Sequence, residues 1–337
     1  MSKYSLEKGT FGKYPTVILK NNSNNEKLEI ALRGATTLSY FIDFYGNPLK
    51  IIDGFESPEE MEQSTGAKGW VMAPFANRIR NRKYSFNGKD FELDSNFPGN
   101  EVMHGLLSNV NYDLYKTDIT QNSIEAVFVC KKIRPGVFKG YPFSLDVYVK
   151  YKLVNDELYV SITGENVGDE PLPFNCGWHP YFKTSENGID HLIMTLNAAK
   201  IILLAKDMTP IDGEEAYESI EKHSDFDFRI SRHFDERSLK NKILDNGFCD
   251  LVIDKDGYSR TSIYDPKNKL EIILFQRGGI TLVYTGDTLP KNRRKAVAIE
   301  PMQFLTNAFN RLELKEKIKV LPGKNSTFEF GVEIKQR

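Results

Sequence analysis

The sequence has few cysteines, no long apolar run and no excess charge of one sign, and each shortage excludes a class of protein. It contains 337 residues and three cysteines with no CxxC spacing, which argues against a disulfide framework and a thiolate metal site. No apolar run approaches the ~18 residues of a membrane span, and no basic-then-apolar leader follows Met1. The 45 Lys and Arg nearly balance the 46 Asp and Glu, so nucleic acid is not an expected partner. We expect a cytoplasmic protein with no membrane partner and no metal.

Common catalytic motifs are missing as well. HExxH, P-loop and GxGxxG contexts are not found, and the lack of GxSxG disfavours a nucleophile-elbow hydrolase. There is also no tandem repeat, low-complexity tract or Pro/Gly/Ser-rich linker. We therefore predict a single domain over residues 1–337 rather than two.

Period-two alternation of apolar and polar residues recurs along the chain and predicts an all-β sandwich or barrel. Residues 84–93 indicate a hairpin around Asn87-Gly88, and Asn155-Asp156 indicates another turn. The best helical signal is Pro58–Gln63, and the charged stretch Asp212–Lys242 favours loops or short helices. The other predicted strands are Ser123–Lys131, Ser144–Leu153, Glu157–Thr163, Leu251–Ile253, Arg260–Tyr264, Leu270–Gln276, Thr281–Thr285, Ala296–Glu300 and Thr327–Ile334.

The segment Asn175–Phe182, NCGWHPYF, holds the most informative histidine, His179. Pro180 has a fixed φ and biases His179 toward extended backbone, so we expect the ring on a stiff, non-helical segment. A titratable ring held rigidly among aromatic residues suits proton transfer. The same pattern fits a half-buried histidine at a strand end, and the segment alone does not decide between them.

Glu300 follows apolar strand residues and precedes Pro301. A carboxylate at the end of a buried strand costs free energy unless it is paired or used. The alternative is a glutamate at the surface end of a strand. This segment therefore adds a second candidate for proton transfer.

Further polar positions are candidates for binding a ligand. Asn77 and Arg78 follow an apolar run, and the guanidinium fork of arginine suits vicinal oxygens or a carboxylate, although a surface basic stretch has the same composition. His104 precedes Gly105, which would let a ligand or another backbone come close. Asp245 begins Asp-Asn-Gly, which by itself indicates a turn. The remaining histidines are assigned no role: His191, His223 and His233.

Taken together, these segments resemble the aldose 1-epimerase (galactose mutarotase) family. The resemblance implies a large antiparallel β-supersandwich, a monosaccharide substrate (hexose or pentose), no cofactor, and a monomer or homodimer. The matching segments occur in the family's order and are Phe75–Lys89, His104-Gly105, Gly140–Leu145, Asn175–Phe182, Leu244–Phe248, Tyr284–Gly286 and Ala298–Asn310.

The resemblance also implies roles for the candidate residues. His179 would be the general acid and Glu300 the general base of α/β anomer interconversion, facing each other across one sugar-sized cleft. A pKa near 6.5 for His179 and an ordinary, ionised Glu300 would suit this task. The residues that would hold sugar hydroxyls or the ring oxygen are Asn77, Arg78, His104 and Asp245. Candidates for apolar walls, equally suited to the core, are Trp178, Tyr181, Phe182 and Phe309.

The chain departs from the family's pattern in two places. His104-Gly105 runs into Leu106, where mutarotases of free hexoses often carry HGG. Leu282 stands two residues before Tyr284, where the family commonly has glutamine. The second change removes one polar contact to the sugar and leaves the preference for galactose or glucose open.

Other functions remain open at this stage. The basic clusters Arg78–Lys83 and Arg293–Lys295 suggest an epimerase of a hexose phosphate. A non-catalytic carbohydrate-binding protein on the same fold is a second alternative. Glycoside hydrolysis by Glu300 and Asp245 would leave His179 unexplained.

Overall fold

The computed structural model describes residues 2–154, 157–229 and 237–337, which leaves the predicted Asn155-Asp156 turn and His233 outside the described residues. Most of the regular structure is β. In chain order the strands are β1 Tyr4–Phe11, β2 Tyr14–Asn21, β3 Lys27–Ala31, β4 Thr36–Phe44, β5 Asn47–Asp53, β6 Val71–Met72, β7 Lys83–Phe86, β8 Lys89–Glu92, β9 Asp113–Ile119, β10 Ser123–Ile133, β11 Leu145–Val154, β12 Glu157–Asn166, β13 Leu172–Pro173, β14 Gly177–Trp178, β15 Tyr181–Phe182, β16 Ile193–Leu196, β17 Ala198–Ile202, β18 Tyr217–Ser219, β19 Asp245–Leu251, β20 Ser259–Asp265, β21 Leu270–Gln276, β22 Ile280–Tyr284, β23 Val297–Met302, β24 Lys319–Val320 and β25 Asn325–Gln336.

The helical elements of the described residues are short. Helix α1, Pro58–Glu62, begins where the sequence predicts, because the Ser57 hydroxyl accepts a hydrogen bond from the Glu60 N–H (3.2 Å) and proline suits the first turn. The 3₁₀ turns are Thr65–Ala67, Arg80–Arg82, Glu214–Ala216, Ile220–Lys222, Ser224–Phe226, Ala308–Asn310 and Leu312–Leu314.

Two large antiparallel sheets contain most of the strands. A 13-stranded sheet has the order β1-β2-β3-β4-β5-β15-β23-β22-β19-β17-β18, with β14 joined to β23 and β6 joined to β14. An eight-stranded sheet has the order β16-β20-β21-β25-β12-β11-β10-β9. The pairs β13-β24 and β7-β8 form small ribbons. This arrangement confirms the predicted all-β fold.

The core lies between the two large sheets. Trp178 of β14 stacks on Phe330 of β25, with ring centroids 5.6 Å apart, and the Tyr151 hydroxyl of β11 donates to the Ala35 carbonyl (2.8 Å). All residues of β23 are buried, so this strand has no solvent face. The single-domain organisation stays a prediction. Across the described ranges, no helix has the length and apolar character that crossing a membrane requires.

The strand predictions were correct where the pattern extended over several residues and wrong for one short apolar run. The hairpin forms as β7 and β8 around Asn87-Gly88, and Leu270–Gln276 coincides with β21. The predicted strand Leu251–Ile253 is wrong, because β19 ends at Leu251 and the two residues after it are exposed. Asp245-Asn246-Gly247 is the start of β19 rather than an isolated turn, because it pairs with β22. In the described part of Asp212–Lys242, the short strand β18 accompanies the 3₁₀ turns.

Candidate active site

Strand register brings His179 and Glu300 together. His179 lies between β14 and β15, and both of these strands pair antiparallel with β23, which contains Glu300. In antiparallel pairing, each step forward on one strand is a step back on the other, so position 179 falls opposite position 300. The flanking pairs are Gly177 with Met302 and Tyr181 with Ala298.

The backbone and ring of His179 are held from several sides. Its N–H donates to the Trp70 carbonyl (2.9 Å), and its own carbonyl accepts from the Gly69 N–H (2.8 Å). The ring stacks on Tyr181, with centroids 5.1 Å apart and an interplanar angle of 21°. The Tyr181 hydroxyl in turn donates to the Gly66 carbonyl (2.9 Å). The imidazole is therefore fixed in position before any ligand binds.

The sequence led us to expect His179 and Glu300 on opposite sides of a cleft. In the structure, the two side chains are in direct contact. Nε2 of His179 lies 3.2 Å from Oε1 of Glu300, and both side chains are buried. Oε2 of Glu300 has no hydrogen-bond partner among the described residues. Oε2 is thus a buried oxygen whose capacity to form hydrogen bonds is not used by the described residues.

The protonation of this pair differs from the sequence-based expectation. Burial lowers the pKa of His179 from 6.5 to about 3. Burial also raises the pKa of Glu300 well above its usual 4.5, and the neighbouring Asp245 raises it further, whereas Arg78 lowers it. Both groups therefore favour their uncharged forms. The expected ordinary pKa values were wrong because the sequence pattern does not give the depth of burial.

One cavity of about 300 Å³ collects the candidate residues. A volume of this size suits a small polar ligand. The sequence-predicted side chains that line it are Asn77, Arg78, His104, His179, Asp245 and Glu300.

The loop that carries His104 has an unusual backbone held by side-chain hydrogen bonds. His104 and Gly105 have φ values of +57° and +83°. The Asn96 side chain donates to the carbonyls of Met103 (3.0 Å) and Gly105 (2.6 Å) and accepts from the Met103 N–H (2.9 Å). Sequence analysis missed this role of Asn96, since only the fold brings its amide to both carbonyls.

Asn77 and Arg78 face the same cavity from the segment after β6. Asn77 has φ +57°, and its Oδ1 accepts from the Arg78 N–H (2.9 Å). The Asn77 carbonyl accepts from the His104 N–H (2.9 Å), which ties the two loops together. Arg78 also pairs with Glu101 through Nε (3.3 Å).

Beyond Arg78, the basic cluster of residues 78–83 lines an adjoining cleft of about 480 Å³. Its arginines already have carboxylate partners, and in the second cluster Arg294 pairs with Asp190 (2.7 Å). Arg293 and Lys295 donate instead to the backbone carbonyls of Leu289 (2.8 Å) and Glu186 (3.0 Å). The cleft therefore does not offer a phosphate a set of arginines without carboxylate partners. The pairs in the cleft are Arg78 with Glu101 (3.3 Å), Arg80 with Asp212 (2.9 Å) and Arg82 with Glu92 (3.1 Å).

Asp245 reaches the cavity from the first position of β19, opposite Tyr284 of β22. Burial raises its pKa, and the Arg78 guanidinium opposes this shift. Leu282 lies opposite Glu300 on β22, but its side chain lines a narrow space behind Asn77 and Asp245 rather than the main cavity. Leucine in place of glutamine therefore makes this narrow space less polar.

Sequence analysis assigned no role to several residues that complete the cavity wall. Of the four aromatic wall candidates, only Tyr181 lines the cavity, whereas Phe309, for example, packs against Tyr84 in the interior. Tyr284 belongs to the segment Tyr284–Gly286, which carries part of the family resemblance. Loop residues such as Phe97 show no periodic pattern that would single them out. The further lining residues are Gly66, Ala67, Phe97, Met103, Tyr284, Thr288, Leu289 and Pro290.

Within the described ranges, no group of three or more His, Cys, Asp or Glu side chains could hold a metal ion.

Known proteins resemble this chain in sequence and fold. The aldose 1-epimerase of Escherichia coli (strain K12) is 26% identical over 289 residues, which cover 82% of this chain and 80% of that protein. The uncharacterized protein YihR of the same strain is 26% identical over 259 residues, covering 75% and 74%. The crystal structure of galactose 1-epimerase from Lactobacillus acidophilus NCFM has a TM-score of 0.80 at 17% identity, covering 100% of this chain and 99% of that one.

The structural likeness confirms the expected galactose mutarotase type of β-supersandwich. Family membership depends on the sequence match. A family model described as aldose 1-epimerase matches residues 15–333, nearly the whole length. The chain therefore belongs to the aldose 1-epimerase family.

Proposed function

We propose that this protein interconverts the α and β anomers of a free aldose by acid–base opening and closing of the sugar ring. The observation that carries the proposal is the buried contact of 3.2 Å between His179 Nε2 and Glu300 Oε1 at the wall of a cavity of about 300 Å³. A base and an acid within hydrogen-bond reach of one another can serve two neighbouring oxygens of a single sugar.

The reaction moves two protons and breaks one bond. Glu300 takes the proton of the C1 hydroxyl while His179 gives a proton to the ring oxygen, and the C1–O5 bond breaks to leave an open-chain aldehyde. Rotation about C1–C2 presents the other face of the aldehyde. Closure then reverses both proton transfers and regenerates the pair.

The burial of the pair supports this chemistry. The uncharged resting pair holds one proton, on Glu300, and its transfer to His179 across the 3.2 Å contact gives the carboxylate and imidazolium that react. After ring opening the pair is again carboxylic acid and neutral imidazole. Burial lowers the pKa of His179 and raises that of Glu300, so it favours the second state. Proton transfer to and from the sugar is therefore driven toward the open-chain intermediate, while hydrogen bonds from sugar hydroxyls support the charged state at the start.

The other cavity residues would hold the part of the sugar that does not react. The Arg78 fork and the Asp245 carboxyl can bind hydroxyls distant from C1, which leaves the aldehyde free to rotate while the remaining atoms stay fixed. Asn77 and His104 would contribute further polar contacts. These roles are supported by the cavity that all four residues line. They are also supported by the hydrogen bond from the His104 N–H to the Asn77 carbonyl (2.9 Å), which links the two loops.

The decisive experiment is polarimetry of freshly dissolved α-glucose and α-galactose with the Glu300→Gln variant. We expect a loss of ~10²–10⁴-fold in the catalysed rate, because a general base is removed while the side-chain volume is kept. Glu26→Gln is the matched control, since Glu26 is equally buried but bonds Tyr40 (2.8 Å) and does not line the cavity. Full activity of Glu300→Gln, with a native circular dichroism spectrum, would remove Glu300 from the mechanism.

The two main alternatives give different results in the same assay. A hexose-phosphate epimerase would act faster on glucose 6-phosphate than on glucose, and a binding protein would bind sugar without changing the anomerisation rate. The carboxylate partners of the three arginines in the cleft favour the free aldose. The buried acid–base pair favours catalysis, because a binding protein gains nothing from it.

A further inference from the structure

We propose that Met72 is a positioning residue that fixes the tautomer of His104, so that His104 offers the substrate a hydrogen-bond acceptor. This inference deepens the proposed function and rests on it for its kinetic consequence. The carrying observation is the distance of 2.9 Å between the Met72 sulfur and Nδ1 of His104. A thioether sulfur has lone pairs and no hydrogen, so it can only accept. A hydrogen bond between these two atoms requires the imidazole hydrogen on Nδ1, and we assign it there.

The neutral state of His104 completes the assignment. Its ring is buried, and burial lowers its pKa well below 6.5, an effect to which His179 and Arg78 also contribute. A neutral imidazole carries a single N–H, so Nε2 has a free lone pair. Since Nδ1 is turned onto Met72, Nε2 is the ring nitrogen that can accept from a sugar hydroxyl in the cavity.

The orientation of the His104 ring is fixed by its neighbours. Edge-on ring contacts at centroid distances of 6.2 Å to Trp70, 6.2 Å to Phe97 and 5.2 Å to His179 surround it. These contacts oppose the ring flip that would exchange the two nitrogens. The same packing therefore supports both the contact with sulfur and the acceptor in the cavity.

Met72 is held in place by the segment that carries His179. Met72 is fully buried and pairs with Gly177 across β6 and β14. A Cβ on Gly177 would lie 2.8 Å from the Met72 methyl carbon and 2.8 Å from the Pro301 carbonyl oxygen, so a larger residue would press on this side chain as well as on the backbone. The segment NCGWHPYF thus contains His179 and, through Gly177, also helps to hold Met72 against His104.

The assignment divides the work of the two histidines. With its hydrogen on Nδ1 and facing sulfur, His104 cannot donate to the ring oxygen. Proton delivery is then left to the pair of His179 and Glu300, and His104 holds a hydroxyl. This answers a question that the sequence left open, because its residues allowed either role.

The test compares Met72→Leu with Met302→Leu by ¹⁵N NMR of the histidine rings. Leucine keeps the approximate volume of methionine but has no lone pair to offer. Met302 is the matched control, since it is equally buried and also opposes Gly177. We expect His104 in the wild-type protein and in Met302→Leu to show a protonated Nδ1 and an unprotonated Nε2. In Met72→Leu the hydrogen should shift toward Nε2, and KM for the aldose should rise about five-fold with a smaller change in kcat.

Met72→Gln provides a rescue, since its amide oxygen can accept from Nδ1 and should keep the wild-type tautomer. A wild-type protein with the hydrogen on Nε2 would overturn the proposal even if no variant folds. An unchanged His104 spectrum in Met72→Leu would also overturn it. If the wild-type protein does not accelerate mutarotation, the proposed function fails while the NMR result still decides the tautomer.

Discussion

Glu300 is a buried carboxyl group whose position suits the proposed proton transfer and opposes folding. Its pKa in the folded protein is above the usual 4.5 because the cavity wall and Asp245 disfavour its charge. The pKa of His179 shifts in the opposite direction, since burial lowers it to about 3. Strongly perturbed titratable groups that share one cavity are typical of active sites. The cost of this pair to stability should be measurable.

Glu300→Gln should be more stable than the wild-type protein, with a difference that grows as the pH rises above about 4.5. In that range the folded protein holds a proton on Glu300 that the unfolded chain releases, so the wild-type free energy of unfolding falls with pH. The slope is at most about 1.4 kcal/mol per pH unit. Urea denaturation at pH 5 and pH 8 measures it. A difference that shrinks with pH would contradict the raised pKa.

His179 gives the complementary dependence at acid pH. Between its folded pKa of about 3 and the usual 6.5, the unfolded chain binds a proton that the folded protein does not. The free energy of unfolding should therefore decrease as the pH falls from 6.5 toward 3. His179→Asn should lack this component, which urea titrations at several pH values can separate from the wild-type curve.

Among single residues, the sequence identified those with unusual chemistry in short motifs. His179 and Arg78 were recognised because their neighbours in the chain signal them. Asn96 and Met72 were missed, because a lone asparagine or methionine is ordinary until the fold places its polar atom against a carbonyl or an imidazole. The pKa shifts were also inaccessible, since burial is a property of the assembled site.

At the scale of elements, the candidate active site depends on irregular segments held by regular strands. The regular part is β23, which sets the register of His179 against Glu300. The irregular part is the loop of residues 96–105, which reaches the cavity through left-handed backbone at His104 and Gly105. Left-handed conformation at a non-glycine residue costs free energy and persists only where the surroundings enforce it.

Gly105→Ala should destabilise the protein far more than Gly99→Ala. Both glycines have positive φ, +83° and +81°, so alanine at either position costs roughly 1–2 kcal/mol for the backbone alone. At Gly105 the new Cβ would also lie 2.0 Å from the Ala73 carbonyl oxygen, whereas at Gly99 its nearest neighbour is 4.0 Å away. Urea denaturation gives both losses, and similar values would show that the loop yields without strain.

Element type was predictable where alternation or apolar content continued over several residues, and less so where strand pairing decided. Leu270–Gln276 has the apolar content of a buried strand and was found as β21. Asp245-Asn246-Gly247 has turn chemistry, yet pairing with β22 draws it into β19. Local preference for a turn is weak compared with the hydrogen bonds and burial that a neighbouring strand supplies.

At the scale of the whole molecule, sequence-distant strands meet in both sheets. β25, the last strand, lies in the middle of the eight-stranded sheet between β12 and β21. β1, the first strand, lies at the edge of the other sheet, and among the described residues it pairs only with β2. A central strand satisfies backbone groups on two sides, whereas an edge strand does so on one.

Removal of residues 325–337 should abolish cooperative unfolding, whereas removal of residues 1–11 should lower Tm but leave a folded protein. The first truncation exposes two strands of the eight-stranded sheet and removes Phe330 from its stack on Trp178 (5.6 Å). The second makes β2 the new edge. Thermal unfolding followed by circular dichroism distinguishes the two, and equal losses would contradict the argument from sheet position.

The sequence by itself determined the β character of this protein, its hairpin, its family and the identity of the candidate active-site residues. These properties are written in short motifs and in periodicity, which act between near neighbours. The tertiary structure alone decided the contact of His179 with Glu300, their shifted pKa values and the tautomer of His104. Each of these depends on strands that come together from distant parts of the chain and exclude water from the space between them.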